Sequence, residues 1–483
     1  MQFAVLQRIL GLLLVIFSFT MLPPALVGWI YGDLSISPFI KGFLLVLVVG
    51  AVMWFPVRHQ KRELRLREGF LVVVLFWAML GVSGSAPLLF SNELQISLVD
   101  AVFESISGLT TTGATVIVGL DDLPKSILFY RQQLQWLGGM GIIVLAVAIL
   151  PILGIGGIQL YRAETPGPVK DSKLTPRIKG TAKLLWIIYV VFTIACALAY
   201  YFAGMNTFDA ISHSFSTIAI GGFSTHDASM GYFSSHVIEL VAVVFMLLSG
   251  ANFSLHFIAW RSMSLKPYYV DSEFRLYGLA MVMLTIMVLA YLYFMHVYGS
   301  FSESWFNAIF QVVSIATTTG FVTTDYSHWP GFLPVLLVFA SFVGGCAGST
   351  GGGMKVVRVL LLFKQGWREV MRLIHPNAKI AIKLNRKPVD RSVIQAVWGF
   401  FSVYIAVFVI LMLILMAADM DQVTAFSAVA ATLNNLGPGL GDVASNFQDI
   451  SDFSKWLLCL SMLMGRLEIF TLLVVLTPAF WRR

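Results

Sequence analysis

Charge is scarce in this sequence. Lys, Arg, Asp and Glu make up 12% of its 483 residues and hydrophobic residues 58%, whereas a soluble domain carries about 25% charged residues. Mean hydropathy is +0.83. That balance excludes a soluble globular domain. The short alternating segments of a transmembrane β-barrel are also missing; many apolar runs instead exceed the roughly 20 residues a helix needs to cross hydrocarbon. Cysteine is nearly absent, and Cys196, Cys346 and Cys459 all fall in apolar segments, where they pack as small hydrophobes and form neither a disulfide framework nor a metal-ligand spacing. No nucleophile–base pair, metal cluster or nucleotide loop points to an enzyme. Arg8 precedes an apolar run too long for a signal peptide and without a small-x-small cleavage site, so the N-terminus reads as a retained helix.

What is present is ten apolar spans, near 9–31, 38–56, 69–90, 128–153, 184–204, 236–260, 276–298, 332–363, 395–417 and 453–480. The loops near 57–67, 162–183, 261–275 and 355–391 carry 5, 6, 3 and 10 Lys or Arg; with Arg8, Arg482 and Arg483 they place 27 of the 32 basic residues on one side. The positive-inside rule makes that side cytoplasmic, with both termini on it. The +7 net charge is then a topology signal. No basic face interleaved with aromatics suggests nucleic acid.

Four half-length segments lie between spans three and four, five and six, seven and eight, and nine and ten. Each ends in a polar, glycine-bearing stretch: TTTGAT from Thr110, AIGGFST from Ala219, TTTGFVTT from Thr317 and NNLGPGLG from Asn434. Irregular backbone at membrane depth is tolerated only where protein or a water-filled cavity covers it. Thirteen residues before Gly113, Gly222, Gly320 and Gly437 stand Asp100, Asp209, Asn307 and Thr424, each followed by Ala. These are capping residue types, so each unit predicts an N-capped helix of about three turns and then an extended glycine segment. Gly139, Gly250, Gly345 and Gly465 follow in the next spans. Constant internal offsets with variable connections indicate a fourfold repeat. Two spans per unit keep all four units parallel, about an axis normal to the membrane.

Four such loops around one axis make a ring. Glycine admits the positive φ that turns successive carbonyls inward, where they can replace the hydration shell of a cation. The half-helices enter from outside, so their partly negative C-terminal ends point to the axis. No ring of four carboxylates suggests a calcium filter, and no Arg or Lys stands there for an anion pore.

With TTTGAT, IGGFSTHD, TTTGFVTTDY, NNLGPGLG and the run GGCAGSTGGGMK, the chain resembles the Trk/Ktr/HKT superfamily of potassium transporters over essentially its whole length, in its TrkH-type branch. The resemblance implies an all-α membrane protein of four pseudo-symmetric helix–re-entrant loop–helix units around one pore, plus two N-terminal helices. It divides the chain at 1–67, 68–160, 161–262, 263–393 and 394–483. It implies potassium bound by carbonyls of Thr111 and Thr112, Ile220 and Gly221, Thr318 and Thr319, and Asn435 and Leu436, with Gly113, Gly222, Gly320 and Gly437 as filter glycines. Glycine in all four loops goes with potassium in the family, and serine in the first with sodium. Ile220 and Leu436 depart from an all-hydroxyl filter; their side chains cannot bind a cation, but backbone coordination is unaffected. A homodimer in the bacterial inner membrane and a cytoplasmic TrkA-type nucleotide-binding ring are also implied.

Gly344 to Lys355, GGCAGSTGGGMK, interrupts the eighth span. Each glycine costs a helix roughly 1 kcal/mol against Ala. A phosphate-binding loop is ruled out, because GGGMK lacks the Lys-Ser/Thr ending. Close helix packing through small residues is one reading. The preferred one, which the resemblance also implies, is a loop crossing the pore beneath the filter as a gate, with Gly344, Gly345, Gly348, Gly351, Gly352, Gly353 and Lys355. Arg466 is charged inside the last span, a cost of about 2.5–3.5 kcal/mol at a helix centre. It either makes a structural pair, with Glu468 or backbone carbonyls, or stands at the pore wall beside the gate. His213 and His226 read as hydrogen-bonded loop residues. Asp121, Asp122, Asp227, Asp325, Asp421 and Asp442 gather on the outer side and as a set can concentrate cations. The alternative to a potassium pore is a proton- or sodium-coupled secondary transporter, for which Glu104 and Glu468 are the candidate carboxylates; parallel repeats speak against it, since that class commonly uses inverted ones.

Overall fold

The computed structural model of the chain describes residues 3–33, 35–60, 66–144, 178–385, 387–467 and 469–482. The all-helical fold of four parallel units and two added N-terminal helices stands. The N-terminal pair is Phe3–Tyr31, which tightens to a 3-10 turn at Phe19–Met21 just before Pro23 and Pro24, and Ile36–Val57. They pack closely because Gly11 and Gly50 lie face to face: a Cβ on Gly11 would meet the Trp54 nitrogen at 2.7 Å and the Gly50 oxygen at 2.9 Å. Small residues at a helix crossing are the usual route to tight packing in lipid.

Each unit then gives a spanning helix, a short pore helix, a glycine loop and a second span. The pore helices are Leu98–Leu109, Thr207–Ala219, Phe301–Ala316 and Gln422–Leu433. Their N-caps correct the sequence reading. Asp100, Asp209 and Thr424 are not caps but sit three residues inside, behind Ser97, Asn206 and Asp421, whose side chains accept from the backbone N–H of Asp100, Asp209 and Thr424. In the third unit Ser300 caps and Asn307 is seven residues inside. The repeat is real, but the strict 13-residue offset marks the first turn in three units and the second turn in the third, rather than the cap.

Among the described residues six helices are long and apolar enough to cross a membrane, and up to eight with each bent pair counted as one. Lys125–Val144 reaches the edge of the described residues. The eighth span is broken as expected, into Leu333–Val343 and Val356–Ile374. Two further breaks were not foreseen. Span six turns by 95° between His236–Gly250 and Phe253–Ser262, and span ten breaks between Asp452–Arg466 and Phe470–Leu476. Both breaks fall just past Gly250 or Gly465, where the third unit has its glycine-rich loop. A two-stranded hairpin, Lys383–Leu384 with Lys387–Pro388, precedes Arg391–Ala417.

Candidate ion pathway

Each pore helix ends the same way. The N–H groups of Thr111, Ile220, Thr318 and Asn435 donate three residues back, to Gly108, Thr217, Ile315 and Thr432, at 3.0–3.2 Å. The next N–H, of Thr112, Gly221, Thr319 and Leu436, donates five residues back, to Ser107, Ser216, Ser314 and Ala431, at 2.7–2.9 Å. This is the Schellman close of a helix, whose C′ residue is left-handed and usually glycine. Here C′ is Thr111 (φ +53°), Ile220 (+54°), Thr318 (+70°) and Asn435 (+53°). For β-branched residues that conformation is rare, and holding it costs of order 1–3 kcal/mol each. Gly113, Gly222, Gly320 and Gly437 are also left-handed, at +84°, +80°, +83° and +101°. In a trans peptide the carbonyl points opposite to the N–H it shares a plane with. The N–H of Thr112, Gly221, Thr319 and Leu436 all face back to the pore helix. The carbonyls of Thr111, Ile220, Thr318 and Asn435 therefore face away from it, four times over.

The four loops close on one another. A Cβ on Gly113 would strike the Gly221 oxygen at 2.1 Å, one on Gly222 the Thr319 oxygen at 2.0 Å, and one on Gly320 the Leu436 oxygen at 2.1 Å. One on Gly437 would meet the Thr112 oxygen at 2.8 Å. Glycine of each unit abuts the residue before the glycine of the next, and the fourth returns to the first. All twelve loop positions singled out in the sequence are brought together in this ring. The threonine hydroxyls are occupied otherwise: Thr110 with Thr112 at 2.7 Å and Thr317 with Thr319 at 2.8 Å, while the Asn435 amide donates to the Thr112 hydroxyl at 2.9 Å.

Side chains that the sequence reading passed over brace the ring. Gln135 donates to the Gly221 oxygen at 2.6 Å and accepts from the Phe223 N–H at 3.0 Å. Arg131 is buried and pairs with Glu104 at 2.7 Å; it also donates to the Ser224 carbonyl at 3.1 Å. Glu104 in turn accepts from the Val116 N–H at 3.0 Å. Removing one partner of such a buried pair typically costs 3–5 kcal/mol.

A cavity of about 330 Å³ opens on the side of the ring from which the pore helices enter, lined by residues of all four loops. Asp227 and Asp325 reach it, although the Asp227 carboxylate is engaged by the N–H groups of Gly119 and Leu120 at 3.1 and 2.8 Å. His213 bonds the Asp209 carbonyl and the Ser224 hydroxyl, each at 3.0 Å. His226 lies between Asp121 and Asp209, tying loop one to loop two. Burial pushes the His226 pKa down, but hydrogen bonds to Asp209 and Asp121 outweigh it and raise the pKa above the ordinary value. A raised folded-state value stabilises fully below the unfolded pKa of about 6.5 and is lost as pH climbs through the folded value. The advantage of the native chain over His226→Asn in thermal midpoint, measured in detergent, is therefore expected to shrink as pH rises from 6 through neutrality.

On the opposite side the glycine run of the third unit lies against the ring. The Gly352 N–H donates to the Thr318 hydroxyl at 2.7 Å, the Gly353 N–H to the Asn434 carbonyl at 3.0 Å, and the Thr350 hydroxyl to the Ile218 carbonyl at 3.0 Å. Close approach explains the glycines: a Cβ on Gly352 would meet the Asn434 oxygen at 1.9 Å, one on Gly351 the Thr317 oxygen at 3.0 Å, and one on Gly344 the Gly352 oxygen at 2.1 Å. The Gly348 carbonyl accepts from the Phe253 N–H and the Gly345 carbonyl from the Val356 N–H, both at 3.1 Å. Lys355 donates back to the Gly351 carbonyl. Arg466 donates to the Thr350 carbonyl at 3.2 Å and to the Gly138 carbonyl at 3.0 Å, so loop and arginine together touch all four units. Glu468 lies outside the described residues. Between the loop and Arg466 a cavity of only about 50 Å³ remains.

Four parallel units whose loops join in one ring, with a loop of the third unit lying beneath it, define a tetra-repeat membrane pore protein. The model of the family TrkH, described as cation transport protein, matches residues 35–482. The chain is 62% identical over 484 residues to the Trk system potassium uptake protein TrkH of Vibrio parahaemolyticus and 57% identical over 482 residues to that of Escherichia coli K12, with 100% of both chains covered in each case. It is 42% identical to the Escherichia coli K12 protein TrkG, covering 99% of this chain and 98% of that one. The crystal structure of the potassium transporter TrkH from Vibrio parahaemolyticus is similar with a TM-score of 0.91 and 59% identity, covering 100% of each chain. The chain belongs to the TrkH family of cation transport proteins, which are not enzymes.

Proposed function

We propose that the chain carries out potassium uptake across the bacterial inner membrane as the transmembrane subunit of a Trk system, with both termini cytoplasmic. The observation that carries this is the fourfold recurrence of one backbone conformation, left-handed at Thr111, Ile220, Thr318 and Asn435 and again at the following glycines. Carbonyls of Thr111 and Thr112, Ile220 and Gly221, Thr318 and Thr319, and Asn435 and Leu436 replace the water around a dehydrated potassium ion, the substrate. The run 344–355 and Arg466 form the gate. The units run 68–160, 161–262, 263–393 and 394–483, after two helices in 1–67. Lipid surrounds the spans, the chain acts as a homodimer, and a TrkA-type nucleotide-binding ring docks on its basic cytoplasmic face. The names of the full-length relatives support the system, and the basic segment 355–391 supports the docking face.

Of the two carboxylates considered for proton or sodium coupling, Glu104 is committed to Arg131 and Glu468 lies outside the described residues. Rubidium uptake into proteoliposomes, competed by potassium or sodium with and without a pH gradient, tests the reading. Uptake blocked by potassium far better than by sodium, and indifferent to the gradient, is expected. Uptake that requires the gradient would favour the coupled transporter.

A further inference from the structure

We infer that the buried Glu273 carboxylate holds the crossing loop closed from the cytoplasmic end of the seventh span, and that the hairpin at Lys383–Pro388 is the handle through which the cytoplasmic side moves it. The inference rests on the proposed reading of 344–355 as a gate. Glu273 is the second residue of Ser272–Phe294 and is buried. One of its oxygens accepts from the Ala347 N–H at 2.6 Å and from the Val357 N–H at 3.1 Å. Ala347 lies inside the loop, and Val357 is in the first turn of the helix that follows it, where backbone N–H groups have no intrahelical partner. A single side-chain oxygen thus gathers both limbs of the loop. The loop cannot move off the ring as a unit without stretching at least one of these hydrogen bonds.

The same helix end is gripped from the cytoplasm. Asn385, left-handed at φ +48°, sits at the hairpin turn. Its side-chain oxygen accepts from the Ser272 N–H at 2.7 Å and the Ser272 hydroxyl at 2.8 Å. Its own N–H donates to the Ser272 hydroxyl at 3.2 Å, and its amide to the Asp271 carboxylate at 2.9 Å. Lys364, on the helix that follows the loop, donates to the Lys383 carbonyl at 2.6 Å. Four hydrogen bonds therefore fix an exposed hairpin to the residues immediately before Glu273. Displacement of the hairpin shifts the start of the seventh span, and with it the carboxylate that holds the loop. This is a contiguous hydrogen-bond path that ends on an exposed hairpin.

The test uses the full chain in proteoliposomes without any regulator, comparing Glu273→Ala, Asn385→Ala and Arg466→Ala for rubidium uptake, rubidium-over-sodium preference and thermal midpoint. Glu273→Ala is expected to raise uptake roughly tenfold and Asn385→Ala roughly threefold, at the scale of ordinary site-to-site coupling, with the cation preference unchanged because the ring is untouched. A merely structural role would lower the thermal midpoint without raising uptake. Glu273→Ala that folds and conducts at the native rate overturns the inference. Should that variant fail to fold, the exposed Asn385→Ala decides, and native uptake there overturns it. If Arg466→Ala raises uptake and the other two do not, the anchor is wrong and the gate stands. If all three leave uptake unchanged, both fall.

Discussion

Alanine at Gly113, Gly222 or Gly320 is expected to lower rubidium uptake by about tenfold or more, since a left-handed alanine costs about 1–2 kcal/mol and each 1.4 kcal/mol is a factor of ten. The strain is only part of the effect. The new Cβ would lie 2.0–2.1 Å from a carbonyl oxygen of the neighbouring loop, so that carbonyl must move, and it belongs to the ring itself. Gly437→Ala is expected to be milder, because its nearest carbonyl is 2.8 Å away. Thr112→Ser keeps the hydroxyl that bonds Thr110 and Asn435 and should stay near native uptake and preference. A β-branched residue at Gly113 should damage selectivity more than any of these. The uptake assay with potassium and sodium competition reads the whole series. Equal behaviour of Gly113→Val and Thr112→Ser would show that backbone direction is not what matters.

The second large effect is at Arg466. Its guanidinium straps the Thr350 carbonyl of the crossing loop to the Gly138 carbonyl of the first unit, and it places a positive charge beside the proposed path. Arg466→Ala removes both strap and charge, and uptake without a regulator is expected to rise roughly tenfold, within the range of typical coupling energies. Arg466→Lys retains the charge but loses the planar fork that reaches two acceptors at once; an intermediate rise is expected. Native uptake in Arg466→Ala would remove this residue from the gate.

The class of fold was legible because lipid leaves few solutions: long apolar runs must be helices, and polar glycine stretches among them must be covered by protein. The four loops were legible because a duplicated unit keeps its internal offsets. The left-handed turns at Thr111, Ile220, Thr318 and Asn435 were not, because positive φ is normally read from glycine, and here the Schellman close of each pore helix imposes it on other residues. The caps were misplaced for a related reason: Asp and Asn suit both a cap and the first turn, and only the fold separates Asn206 from Asp209. Breaks past Gly250 and Gly465 were hidden inside continuous hydropathy, which sums over a window and is blind to a local bend. Arg131–Glu104, Gln135 and Glu273 depend on partners 27 to 88 residues away in the chain, distances at which spacing carries no signal. Arg466 was visible as a charge in lipid with backbone carbonyls among its candidate partners; that these are the carbonyls of Thr350 and Gly138 was not.

The most direct test of the central claim is the anomalous diffraction of a crystal grown in rubidium. The account predicts a rubidium peak on the axis of the ring, equally disposed to the carbonyl oxygens of Thr111, Ile220, Thr318 and Asn435, and lost in Gly222→Ala. A peak bound instead by the hydroxyls of Thr112 and Thr319, or no peak in the ring while the same protein carries rubidium in vesicles, would contradict it.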